Sequence, residues 1–216
     1  LGSTTNVLAR VGAEPGSIYG VLTDRALYAA ILNRNFDLFF NLTEQLAGEL
    51  GRKRVEYVVS DAAEARILAH DVWCLVIDAA VEIVNRSQDH QVASFDFLVM
   101  GRPDDCLETL RARSICLRLD DEAFARKLEA ARGYPEVADE VEETLKKTGI
   151  EAFRVEWLRP ADGRNGCLSL TKEPPAYERH GEQEVLAGHY ERVIRYREHV
   201  LPLAEALRRH VEMTRR

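Results

Sequence analysis

Val55-Glu-Tyr-Val-Val-Ser-Asp-Ala-Ala-Glu64, running on to His70-Asp71, is the stretch from which the fold can be read. Val55, Tyr57, Val58 and Val59 are β-formers, dense enough for a strand over Arg54–Ser60 covered on both faces. Behind it, Leu68, Val72, Leu75, Val76, Ala79 and Ile83 recur as one apolar stripe of a helix ending near Arg86. In an open α/β sheet, ligands bind outside the carboxyl ends of the strands. Asp61, Glu64, His70 and Asp71 follow such an end, so they are the first candidates for a site.

Outward from this unit, strand and helix patterns alternate. Asn6–Val11 reads as a weak first strand, followed by a Gly- and Pro-containing loop over Gly12–Gly20. A helix starts at Asp24 as N-cap, with Leu27, Ile31 and Leu32 at helical spacing. A break at Asn33-Arg34-Asn35 precedes a second helix, carrying Phe36, Phe39, Phe40, Leu42, Leu46 and Leu50 and stopped by Gly51. Ser94–Met100 reads as a second apolar strand and Ile115–Leu119 as a half-buried one. Asp120-Asp121 starts a helix to Arg132, and Pro135 suits the first turn of another that ends at Thr148-Gly149. Phe153–Leu158 is a further strand, and Arg159–Pro175 has a loop composition. Glu182–Met213 reads as mostly helix, kinked or restarted at Pro202. This order implies an α/β fold in one domain over 1–216: a mainly parallel, Rossmann-like sheet flanked by helices, with extra C-terminal helices over 182–213.

The 216 residues, 46% apolar and 30% charged, suffice for a full core. A net charge of −7 argues against nucleic-acid and anionic-membrane partners. No apolar run approaches a membrane span, and the N-terminus lacks the layout of a signal peptide. The chain begins at Leu1 rather than Met, which fits a trimmed chain with a segment before residue 1. Cys74, Cys106, Cys116 and Cys167 show no C-x-x-C spacing and read as free thiols of a reducing, cytoplasmic compartment.

Acid, a short gap, then His70-Asp71 between a strand and a long Ala-rich helix resembles the second motif of the LmbE/PIG-L family of zinc-dependent N-acetyl-sugar deacetylases, over roughly residues 54–86. The segments Tyr177–Glu182 and Gly188–Tyr196 resemble uncharacterised bacterial relatives grouped near that family. The resemblance implies a Rossmann-like fold, a zinc or other divalent metal, and a metal-ligand role for His70. The family's first motif, His-Pro-Asp-Asp-Glu, is absent, and with it the other ligands and the catalytic base. Arg102-Pro-Asp-Asp105 has Arg for the ligand His and comes after the second motif. In place of the family's loop stands Ala65-Arg-Ile-Leu-Ala69, compatible with helix. If helical, Glu64 and His70 point about 120° from each other at about 100° per residue, and the ligand set is dispersed. Asp61 would then cap the helix and Glu64 would complete a capping box, with His70-Asp71 as solvated helix residues.

His180, in a loop or at a helix start, is the best general-base candidate outside the cluster, with Tyr177 and Arg179 beside it to bind a polar substrate. On a helix, His189 and His199 are about 15 Å apart along the axis and cannot share an ion. Gly12–Gly16 is not a P-loop, and neither G-x-G-x-x-G nor G-x-S-x-G occurs. Arg192, Arg195, Arg197 and Arg208-Arg209 alternate with Glu and read as a solvated face. Two functions are expected. One is a hydrolase-like protein binding a polar, sugar-like ligand through Asp61, Glu64, His70 and His180. The other is a non-enzymatic scaffold, natural or engineered, that presents Ile67 and Trp73 of the helix around 65–74 to a protein partner.

Overall fold

The computed structural model describes residues 2–87, 90–100, 102, 105–161 and 174–214. In chain order the elements are α1 (Gly2–Arg10), α2 (Asp24–Leu32), α3 (Phe36–Arg52), β1 (Tyr57–Asp61), α4 (Leu68–Arg86), β2 (Ala93–Phe97), α5 (Glu108–Arg111), β3 (Ile115–Arg118), α6 (Asp121–Arg132), α7 (Ala138–Thr148), a 3₁₀ turn (Ile150–Arg154), β4 (Val155–Pro160), α8 (Ala176–Leu186), a π-helical turn (Tyr196–Val200) and α9 (Leu201–Met213). They form two compact units, Leu1–Gly20 with Phe97–Arg159, and Val21–Asp96 with Pro160–Arg216. The fold is mixed α/β, and its sheet is mixed rather than mainly parallel. No helix among the described residues is long and apolar enough to cross a membrane.

In the unit of Val21–Asp96 and Pro160–Arg216, α3, α4 and α9 pack on one another. Phe39, Leu42, Val72, Val76, Leu203, Leu207 and Val211 are all but inaccessible to solvent. A neighbouring cluster joins Ala47, Leu50, Ala80, Val81, Val84 and Val92. Thr23 rather than Asp24 caps α2, its hydroxyl accepting the Ala26 N–H, because Asp24 is already the first helical residue. The break before α3 is as expected: Arg34 is left-handed and Asn35 caps through the Leu38 N–H. Gly51 does not stop α3, which runs on to Arg52 before Arg54 turns left-handed. That turn delays β1 to Tyr57. The strand is not covered on both faces, since Tyr57 is 63% and Val59 46% exposed. β2 lies beside β1 and is shorter than expected. The C-terminal stretch is three pieces rather than mostly one helix, with the restart near Pro202 as expected. α8 ends before the left-handed Gly188, and Pro202 sits in the first turn of α9, where its missing N–H costs nothing.

In the other unit, α6 starts as expected at the Asp120 cap, and Phe124, Leu128 and Leu145 form a core between α6 and α7. β3 pairs antiparallel with β4, Ile115 opposite Leu158 and Arg118 opposite Val155. One crossover helix returns a strand parallel, whereas the two helices α6 and α7 reverse the chain once more. β3 is exposed throughout rather than half-buried. Pro135 precedes α7 in a turn, and β4 starts at Val155 because Phe153 belongs to the 3₁₀ turn. Asn6–Val11 is not a strand but falls in and just after α1: Val7, Leu8 and Val11 carry the i, i+1, i+4 spacing of a helix. Gly149 closes α7 at φ 82°, ψ 143°, a region open almost only to glycine. Gly149→Ala is expected to lower stability by about 1–3 kcal/mol, read by urea unfolding. An unchanged midpoint would show that the turn relaxes freely.

Candidate functional site

The segment behind β1 does not continue into a helix. Ala65 is left-handed at φ 57°, and α4 begins only at Leu68, after an Ile67 N-cap that has no side-chain cap bond. The cause is Asp71. Its carboxylate is fully buried, and Oδ1 accepts the Glu64 N–H at 3.1 Å and the Ala65 N–H at 3.3 Å. The capping box from Asp61 and Glu64 therefore does not form, and Asp71 is not solvated. The turn of about 120° that helical geometry would put between Glu64 and His70 does not apply.

The loop lets the chain fold back. His70, on the first turn of α4, lies with Nδ1 3.2 Å from Oδ2 of Asp61, the last residue of β1. Both side chains stay partly open to solvent. The Cys74 thiol donates to the Asp61 carbonyl at 2.8 Å, tying α4 to the strand end from below. Burial first, then the carboxylates of Asp78, Asp71, Asp61 and Asp96, push that thiol up to about 12, so it is no nucleophile at neutral pH.

The loop also reaches α8, because the Ala65 carbonyl accepts the Ala176 N–H at 2.8 Å. Tyr177 is buried, whereas Arg179 and His180 are exposed on α8. His180 thus lies in a helix and makes no hydrogen bond or ion pair among the described residues. Arg179 donates to the Pro174 carbonyl at 3.3 Å. Asp61 and His70 are brought together, Glu64 is held by Asp71 through its N–H, and among the described residues His180 and Arg179 make no hydrogen bond or ion pair with Asp61 or His70. Ile67 and Trp73 are half-buried rather than displayed. His189 pairs with Glu184 in a turn, and His199 Nδ1 accepts the Arg195 N–H in the π-helical turn.

Two acids escaped the sequence reading. Glu178 is buried and accepts the Tyr196 N–H at 2.6 Å, joining α8 to the π-helical turn. Asp78 is pushed up to about 7 by burial, then by Asp96 and Glu82. The signal for Asp78 was present: it follows Asp71 by seven and Cys74 by four, on one side of α4.

Asp71 is pushed up to about 6 by burial, against the lowering effect of its two backbone bonds. A carboxyl raised above its unfolded value holds its proton more tightly when folded, so stability is lost as pH rises from about 4 through about 6. Asp71→Asn keeps an acceptor for both N–H groups without the charge. It is expected to match the wild type near pH 4 and to be more stable by ~2–3 kcal/mol at pH 7, read by urea unfolding at each pH. Equal stability at both would mean that Asp71 is not raised.

Among the described residues, no group of three or more His, Cys, Asp and Glu side chains is placed to hold a metal ion. His70 and Asp61 engage each other, and the zinc that the family resemblance implies does not fit this donor set. Cys74, Cys106 and Cys116 are free thiols, and Cys167 lies outside the described residues. No family model matches the chain, and neither does a curated protein or a solved structure.

Proposed function

We propose that the chain is a hydrolase-like protein that binds a polar, sugar-like ligand at the carboxyl end of β1 and uses the Asp61–His70 pair as its general base. The observation that carries this is the 3.2 Å approach of His70 Nδ1 to Asp61 Oδ2. A carboxylate on Nδ1 sets the tautomer and ring orientation of an imidazole and leaves Nε2 for a proton transfer. In this reading His70 Nε2 takes the proton of a water attacking an amide carbonyl, and Asp61 steadies the imidazolium. Glu64 and, from α8, His180, Arg179 and Tyr177 are the candidate polar lining. The proposal keeps the amide-hydrolase class and the Rossmann-like arrangement of the LmbE/PIG-L resemblance and drops the metal. It places the chain in the cytoplasm, in line with its free thiols.

The scaffold alternative draws less support, because Ile67 and Trp73 are half-buried. The test is a screen of N-acetyl sugars for acetate release, run with and without EDTA, alongside zinc titration by calorimetry. Turnover that survives EDTA is the expected result. Turnover abolished by EDTA and restored by zinc would replace the proposal with a metal hydrolase, and no turnover on any amide sugar would remove the hydrolase reading.

A further inference from the structure

Beside α6, in the unit formed by Leu1–Gly20 and Phe97–Arg159, lies an open cavity of about 560 Å³. Its apolar lining comes from Ala125, exposed, and Leu128, buried, about one turn apart on α6. Its rim is charged: Arg10 at the end of α1, then Glu129 and Arg132 on α6. Gly133 makes the arrangement possible. A Cβ there would stand 2.5 Å from Arg10 Nη1 and 3.0 Å from the Glu129 carbonyl oxygen, so any side chain would displace the guanidinium.

The charges on this rim are unequally used. Arg132 donates through Nε to Glu142 at 2.7 Å, so its guanidinium already has a carboxylate partner. Arg10 and Glu129 pair neither with each other nor with another charged side chain among the described residues. A cation and an anion therefore line the same depression beside apolar surface. A simple carboxylate would meet Glu129, and a simple amine would meet Arg10 and Arg132. A zwitterion with an apolar body satisfies both ends at once.

We propose that this cavity binds a free amino acid with an apolar side chain, its carboxylate on Arg10, its ammonium on Glu129 and its side chain against Ala125 and Leu128. The site shares no residue with the Asp61–His70 pair and does not depend on the hydrolase reading. Because its charged groups are exposed, the affinity is weak, with a Kd on the order of 1 mM.

The experiment is an NMR titration of the 216-residue chain with L-leucine, following the backbone amides of Leu128, Glu129 and Gly133. Saturable shifts at these amides are expected. Two analogues separate the ends of the ligand: 4-methylpentanoate lacks the ammonium and 3-methylbutylamine lacks the carboxylate, and each is expected to bind about tenfold more weakly than leucine. Glu129→Gln is expected to weaken leucine about tenfold while leaving 4-methylpentanoate unchanged or tighter, and Arg10→Gln to weaken both. Should Arg10→Gln loosen α1, the Glu129→Gln and analogue comparisons still decide. Linear, non-saturating shifts, or equal binding of leucine and 4-methylpentanoate, would overturn the proposal.

Discussion

His70→Ala is expected to lower kcat/KM on any amide sugar found in the screen by about 10²–10⁴-fold, the usual contribution of a positioned general base. The far-ultraviolet circular dichroism should be unchanged, because His70 is partly open to solvent and, among the described residues, its ion pair is with Asp61. Asp61→Asn should act through the imidazole. An amide on Nδ1 no longer selects the tautomer or stabilises the imidazolium, so kcat falls while KM stays near wild type. The pair of variants separates a catalytic imidazole from a merely structural one. If kcat/KM is unchanged in His70→Ala, the proton transfer proceeds elsewhere and the Asp61–His70 pair loses its role.

Phe39→Ala is expected to destabilise the protein by about 3–5 kcal/mol, a large share of a typical domain's total. Phe39 is 1% exposed on α3, which packs against α4 and α9, where Val72, Val76, Leu203 and Leu207 are as deeply buried. Truncation removes the transfer free energy of the ring and leaves a void that such packing cannot fill. The measurement is urea unfolding, with Leu186→Ala as the contrast. Leu186 is 88% exposed, and its loss should shift stability by no more than about 0.5 kcal/mol. A Phe39→Ala midpoint close to that of Leu186→Ala would mean that the α3–α4–α9 packing is not the stabilising core.

Much of the helical framework was legible residue by residue. The stop at Asn33–Asn35, the Asp120 cap of α6, the Gly149 terminus of α7 and the restart at Pro202 all rest on local backbone preferences that need no partner. The apolar stripe of α4 was legible too, with Val72, Val76 and Ala79 buried as its period requires. Val7, Leu8 and Val11 were read on too short a window, where helix and strand periods look alike. For the candidate site, the residue types and the strand end were visible, while their geometry was not. Ala65–Ala69 has good helix propensity, and propensity per residue is worth less than two hydrogen bonds to a buried carboxylate.

By itself, then, the sequence determined α2, α3, α4, α6 and α7 to within a few residues, though not α1, and that Asp61, Glu64, His70 and Asp71 follow a strand end. Tertiary structure alone decided three things. Two helices between β3 and β4 made that pair antiparallel. The β1 face bearing Tyr57 and Val59 stayed open, though its composition suits burial. Burial of Asp71 turned its carboxylate onto the Glu64 and Ala65 N–H groups, and this opened the loop that sets His70 against Asp61. Capping and periodicity act within a few residues and can be read along the chain. A carboxylate's choice between water and backbone depends on what the rest of the fold places over it.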